Sequence, residues 1–294
     1  MSPAESGRLV GRALRPLSVS ALRRTFRVAT LALMLSGWDG WKAALIDLDG
    51  VVTDTARLHM RCWKQVFDEV LEGRAAAGAE AKDEDLRPFD PERDYREHVD
   101  GKSRRDGIRD FLASRGIQLP EGEEEGAEEG AEEERTDDES DEDTVSSIAR
   151  RKDLLFGQRL ATEGVEAYPG TLRWIEQLRE SGIRTAIVSS SHHCAEVLRA
   201  AGIEALFDER VDGELADRIG LAGKPAPDFF LEAARRLGVD PRQAIVVEDA
   251  LSGVRAGRAG HFGRVVGVAR HDNAAELATA GADIVVRDLQ ELIQ

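Results

Sequence analysis

Asp47-Leu48-Asp49-Gly50-Val51-Val52-Thr53-Asp54-Thr55 follows directly on the apolar run Ala43-Ala44-Leu45-Ile46, and this junction decides how the rest of the chain is read. An apolar run without polar alternation suits a strand covered on both faces of a parallel sheet. Two carboxylates spaced i, i+2 straddle the strand terminus, and Gly50 lets the chain turn sharply behind them. In open α/β sheets ligands bind outside the carboxyl ends of the strands. A carboxylate exposed there can act as a nucleophile on phosphorus, and a second one nearby can shuttle protons. Alone, the D-x-D-G pattern is weak, because acidic turns after strands are common.

Outward from this junction the same pattern recurs. Arg184 to Val188 ends in serines, and Ala244 to Val247 ends in Glu248-Asp249. Arg264 to Val268 and Ala282 to Val286 complete a set of five expected strands. Between them lie helical spacings: Leu172, Ile175, Leu178; Val197, Leu198, Ala201; and Phe230, Leu231, Ala234, Leu237 with Gly238 as a stop. This alternation predicts an α/β fold with a Rossmann-like, doubly wound parallel sheet. The pattern breaks between Thr55 and Tyr168, where helical spacing appears at Leu58, Trp63, Val66, Phe67, Val70 and Leu71 and again around Ile108, Phe111 and Leu112. A third helix is expected to begin near Thr144 and run through Leu160. The expected organisation is a core of residues 41–55 and 168–294 with an inserted helical cap, 56–167, over the carboxyl edge of the sheet. Pro169-Gly170 marks the return to the core.

Composition narrows the function classes. The chain has 294 residues, 41% hydrophobic and 33% charged, with a formal net charge of −16. Fifteen acidic residues and one basic residue lie between Glu121 and Asp143; without that block 41 acidic residues face 39 basic ones. The acidity therefore belongs to one segment, which is expected to be a disordered, solvated loop. No basic patch suggests nucleic acid, and no run reaches the roughly 18 apolar residues that span a bilayer. Cys62 and Cys194 cannot form a disulfide scaffold or a cysteine zinc site, so a reducing, cytoplasmic compartment is expected. Residues 1–40 stand apart. Arg23-Arg24-Thr25-Phe26 is similar to a twin-arginine export signal, but the apolar stretch Val28 to Leu35 is short and no A-x-A site follows. A disordered extension, or a start assigned too early with Met34 as the true one, is the expected reading.

Three further strand ends or loops carry reactive groups. Ser189-Ser190-Ser191 offers hydroxyl and N–H groups near a helix start, suited to a phosphoryl oxygen, although Ser191 also reads as an ordinary N-cap. Gly223-Lys224-Pro225 sets a lysine in a rigid loop where it can offset phosphoryl charge. Glu248-Asp249 facing Asp47 would form an oxygen-rich site for Mg²⁺, which prefers carboxylates, waters and phosphate oxygens. Thr55, His59 and Trp63 recur every four residues, one stripe on the helix leaving the acidic turn; ordinary core packing would produce the same spacing.

Taken together, Asp47-x-Asp49, Ser189, Lys224-Pro225 and Glu248-Asp249 resemble the four motifs of the haloacid dehalogenase-like phosphotransferases. The resemblance narrows to the β-phosphoglucomutase family through Asp47 to Thr55, His59, Trp63, Gly101-x-Ser103-Arg104, Tyr168-Pro169-Gly170 and Lys224-Pro225-Ala226-Pro227-Asp228. It implies Asp47 as nucleophile and Asp49 as general acid/base. It implies Mg²⁺ held by Asp47, the Asp49 backbone carbonyl, Glu248 and Asp249. Ser189, Ser190 and Lys224 would hold the transferring phosphoryl group, Arg104 the substrate's other phosphate, and Lys152 would add a cap contact. Thr55 and His59 would sit at the hinge and help position Asp49. The implied reaction interconverts β-D-glucose 1-phosphate and glucose 6-phosphate through a 1,6-bisphosphate. A sugar-phosphate or phosphoglycolate-type phosphatase would use the same residues, and a regulatory module recruited through the acidic loop is a third reading. A monomer is favoured over an oligomer. Two positions depart from the family pattern: His192-His193 stand where Lys-Asn follows the Ser-x-Ser stretch, and His261 occupies a stretch that is usually apolar.

Overall fold

The structure, a computed structural model, describes residues 40–78, 84–122 and 143–293. The expected N-terminal extension and all but the ends of the acidic segment lie outside the described residues. Six strands form one parallel sheet in the order β3-β2-β1-β4-β5-β6: β1 Ala43–Asp47, β2 Arg184–Val188, β3 Glu209–Val211, β4 Ala244–Glu248, β5 Arg264–Val268 and β6 Ile284–Val286. The chain fills one half of this order and then the other, so β1 and β4 flank the switch point where a crevice opens at the carboxyl edge.

The apolar runs behave as their lack of alternation requires. Ala44 and Ile46 belong to one buried cluster, with Trp174, Ile175 and Val197, while Ala43 and Leu45 belong to another, with Phe229, Phe230 and Val254. Each face of β1 is thus covered by a separate layer of helices. The sequence missed β3. It is three residues long, sits at the sheet edge, and begins with half-buried Glu209 and Arg210, so it carries no apolar signal. The last strand is also shorter than expected, starting at Ile284 rather than Ala282.

Between β1 and β2 the chain forms helices α1 (Thr55–Ala76), α2 (Arg104–Ser114) and α3 (Val145–Glu163), then α4 (Pro169–Glu180) on the sheet. α1 buries Leu58, His59, Cys62, Trp63, Val66, Phe67, Val70 and Leu71 along one face. From Trp63 onward these residues join Phe89, Ile108, Phe111 and Ile148 in a third hydrophobic cluster. α3 starts where Thr144 and Ser147 form a reciprocal capping box. Two extended segments connect this helical region to the sheet: Asp54 N–H donates to Glu166 O at 3.0 Å and Tyr168 N–H to Val52 O at 2.9 Å. His261 finds its explanation here. It is an exposed residue with φ of 54°, in the turn that follows the helix Leu251–Ala259, and so does not interrupt a core.

Candidate active site

The register between β1 and β4 pairs Ile46 with Val247, so Asp47 and Glu248 leave the sheet side by side. From the loop after the short helix Gly213–Ile219, Lys224 places its buried Nζ 2.5 Å from Asp47 Oδ1 and 2.5 Å from Glu248 Oε1. The second Glu248 oxygen accepts from Ala250 N–H at 3.0 Å. Two glycines make room for this packing. A Cβ on Gly253 would lie 1.7 Å from Glu248 Oε1, and one on Gly50, whose φ is +87°, would lie 1.9 Å from Asp249 Oδ2.

Asp47, Glu248 and Asp249 each present an oxygen within 4.8 Å of the other two. Burial, then repulsion from Glu248, holds the Asp47 carboxyl well above the usual carboxylate range, with Lys224 opposing. Asp249 is raised likewise, by burial and then by Asp100 and Glu248. Burial disfavours the Lys224 ammonium, but Asp47 and Glu248 outweigh it and push its pKa up. Three clustered carboxylates, of which Lys224 pairs with Asp47 and Glu248, repel one another with one ammonium between them. A hard divalent cation fits such a donor set, as anticipated for Mg²⁺.

Asp49 is held differently. Its Oδ1 accepts from Thr55 Oγ1 and faces His59 Nε2 at 3.3 Å, while its Oδ2 accepts from Ser189 Oγ at 3.1 Å. Burial opposes its ionisation, yet His59, Thr55 and Ser189 together outweigh burial and hold the carboxyl well below its ordinary range. His59 lies 2.6 Å through Nδ1 from Lys152 Nζ and stacks on Phe156 at 4.0 Å. Burial, then Lys152, brings His59 down to about 4, so the ring is neutral near pH 7. Burial, then Arg104, brings Lys152 down to about 8. A charged Lys152 donates to Nδ1, which leaves the imidazole proton on Nε2, toward Asp49. At neutral pH Asp49 is therefore supported by hydrogen bonds rather than by a histidinium.

The helical region meets the sheet edge at Asp100 and Gly101. Ser252 Oγ donates to Asp100 O at 2.8 Å and Ser190 Oγ to Gly101 O at 3.1 Å. Burial, then Glu248, raises the Asp100 carboxyl to about 7. Arg104, at the start of α2, lies 2.5 Å from Asp153 Oδ1, and the same oxygen is 2.9 Å from His193 Nε2.

Asp47, Asp49, His59, Arg104, Lys152, Ser190 and Asp249 line one cleft between the sheet edge and the helices. Thr55, Ser189, Lys224 and Glu248 lie against these residues and support them. Ser189 is fully buried, its hydroxyl spent on Asp49 and on the N–H of Ser191, which donates to it at 3.0 Å. Ser191 is not the helix N-cap: the helix starts at Cys194, and Ser191 Oγ accepts from His193 N–H at 3.2 Å. The two histidines of the departing motif separate. His193 lines the cleft, while His192 sits 3.0 Å from Asp217. Asp100 and Asp153 escaped the sequence reading, although each is the neighbour of a residue it had singled out.

A family model described as haloacid dehalogenase-like hydrolase matches residues 41–261. The chain belongs to the haloacid dehalogenase-like hydrolases. A β-phosphoglucomutase from Mycobacterium tuberculosis is 44% identical over 255 residues, covering 86% of this chain and 91% of the relative. One from Bacillus subtilis is 31% identical over 253 residues, 85% of this chain and 91% of the relative. In fold, this haloacid dehalogenase-like hydrolase is similar to a β-phosphoglucomutase crystal structure from Clostridium difficile, with a TM-score of 0.61, 23% identity, and coverage of 86% of this chain and 93% of that one.

Proposed function

We propose that the chain is a β-phosphoglucomutase, interconverting β-D-glucose 1-phosphate and glucose 6-phosphate through an aspartyl-phosphate enzyme and a glucose 1,6-bisphosphate. The observation that carries this reading is the pairing of two carboxylates two positions apart and held by opposite surroundings. Asp47 sits among excess negative charge with Lys224 at 2.5 Å, and Asp49 is set aside on Thr55, Ser189 and His59. The 44% identity to a named β-phosphoglucomutase over 91% of its length supports the substrate assignment.

In this reading residues 56–167 act as a cap hinged on the segments around Thr53 and Ala167. From the aspartyl-phosphate enzyme the sugar hydroxyl attacks phosphorus, its proton passes to Asp49, and the bond from phosphorus to Asp47 breaks to give the bisphosphate; in the second half Asp47 attacks the other phosphate, and the departing sugar oxygen takes that proton from Asp49. As held here, both Asp49 oxygens are engaged, so it must exchange Thr55, Ser189 or His59 for the sugar hydroxyl before it can move a proton. That requirement keeps the phosphoenzyme from water until the sugar is bound. Lys224 offsets phosphoryl charge on the near side, and Arg104 grips the far phosphate. Asp47, the Asp49 carbonyl, Glu248 and Asp249 would hold Mg²⁺, which neutralises charge between nucleophile and phosphate when bound. We further propose a cytoplasmic, monomeric enzyme; among the described residues no helix is long and apolar enough to cross a membrane.

The test is turnover of β- and α-glucose 1-phosphate side by side with Mg²⁺, with and without bisphosphate primer. Glucose 6-phosphate formed from the β anomer and stimulated by primer is expected. Inorganic phosphate without any 6-phosphate would instead identify a phosphatase.

A further inference from the structure

Arg270, in the loop after β5, belongs to none of the sequence motifs, yet it reaches back to the acidic turn. Its Nε donates to Gly50 O at 2.9 Å, and its Nη2 donates to Val51 O at 3.1 Å and to Thr171 Oγ1 at 3.3 Å. Its Nη1 donates to Arg287 O and to Asp288 Oδ2, both at 3.2 Å. All five N–H donors of the guanidinium are thereby used. One face of the group lies 3.7 Å from the centroid of the Tyr168 ring. Tyr168 is itself a hinge residue: its N–H closes the connecting pair on Val52 O, and its hydroxyl donates to Asp54 at 2.8 Å. The packing behind Arg270 is equally close, since a Cβ on Gly170 would lie 1.9 Å from Asp288 Oδ1.

We propose that Arg270 is a positioning residue that clamps the turn carrying Asp49 to both strands of the hinge. The reason lies in Gly50, whose φ of +87° gives the turn little conformational resistance of its own. Planar donors fixed on two successive carbonyls set the peptide planes on the C-terminal side of Asp49. The stacking on Tyr168 ties the outgoing segment to the returning one. The clamp also separates what moves from what stays: residues 47–53, closed by Val52 and Thr53 N–H on Leu48 O and by Gly50 N–H on Thr53 O, remain with the sheet while any opening of the helical region is taken up at Asp54 and Thr55 and along 164–167. This assignment rests on the mutase reading, because it supposes that Asp49 moves protons.

Arg270→Ala is expected to lower kcat about 10- to 100-fold, the scale of a misplaced catalytic group, with KM changed less than about 2-fold. Millimolar guanidinium, which can refill the vacated site, is expected to restore part of the loss. Should that variant not fold, Tyr168→Leu removes both the ring under the guanidinium and the hydroxyl bonded to Asp54, while Tyr168→Phe removes only the hydroxyl; the Leu variant is expected to have a kcat about 3- to 10-fold below that of the Phe variant. An unchanged kcat in a folded variant, a loss carried by KM alone, or no restoration by guanidinium at any concentration below unfolding would overturn the clamp. Failure of the mutase reading shows separately, in the wild type, as phosphate release without 6-phosphate. The Arg270 comparison is then scored on whichever acceptor the wild type uses.

Discussion

At the sheet edge, three carboxylates cluster with one ammonium, which pairs with two of them, and burial and repulsion raise Asp47 and Asp249 well above their usual range. In the helices above, the imbalance has the opposite sign. Burial lowers Arg104 and brings Lys152 down to about 8, where Lys152 also meets the positive field of Arg104. The floor of the cleft lacks positive charge and the roof lacks negative charge. A phosphorylated substrate with a divalent cation would relieve both, the cation against the floor and the far phosphate against the roof. Asp153, bridging Arg104 and His193 through one oxygen, shows how an anionic oxygen is received there. Across the cleft the two regions meet through polar contacts at Asp100, Gly101, the Asp153–His193 pair and the approach of His59 to Asp49, contacts that water or a substrate can replace on opening.

The largest break in this contrast comes from the floor. Asp47→Asn removes the proposed nucleophile, and kcat is expected to fall by about 10⁴-fold or more with the aspartyl-phosphate mass absent. Phosphoenzyme still trapped in that variant would place the nucleophile elsewhere. Next comes the seam between the regions. In Gly101→Ala a residue with φ of +68° would gain a Cβ 2.4 Å from Ser252 Oγ and 2.8 Å from Ala250 Cβ. The helical region then cannot settle on the sheet edge as it does here. An expected loss of about 10-fold in kcat/KM, without a matching fall in thermal midpoint, would be read by steady-state kinetics beside calorimetry.

The smallest expected effect sharpens the roof. Lys152 is brought down to about 8 in the folded state from the ordinary lysine value of 10.5, so the folded state gives up this proton before the unfolded chain does. Between these values the unfolded state binds more protons, and stability contributed at this site rises with pH. Below about pH 8 the group is charged in both states and its penalty is constant. In Lys152→Met that rise should disappear. The difference in denaturation midpoint between wild type and variant should therefore change between about pH 8 and 10.5 and stay level from pH 6 to 8. A flat difference throughout would mean that Lys152 is not held as described.

Much of the fold was legible because burial on both faces leaves a plain mark. Ala43 to Ile46, Arg184 to Val188 and Ala244 to Val247 read as strands for the same reason that they are central in the sheet. Thr144 was legible as a helix start because its cap is local, closed by Ser147 three positions on. Glu209–Val211 was not, because an edge strand of three residues with two charged side chains buries too little to show a pattern. The candidate site divides in the same way. Asp47, Asp49, Lys224 and Asp249 declared themselves through position after strands and in a proline loop. Arg270 did not, because its meaning comes from carbonyls 219 and 220 positions away.

By itself the amino-acid sequence determined which segments must be buried and which residue types stand at their ends, since hydrophobic periodicity and turn chemistry act over a few residues. Only the tertiary structure decided what each charged group faces. It placed Lys224 between Asp47 and Glu248, set Asp49 aside on Thr55, Ser189 and His59, and laid Arg270 on Tyr168. The state of a buried ionisable group depends on the charges and dipoles around it, and folding brings these together from distant parts of the chain.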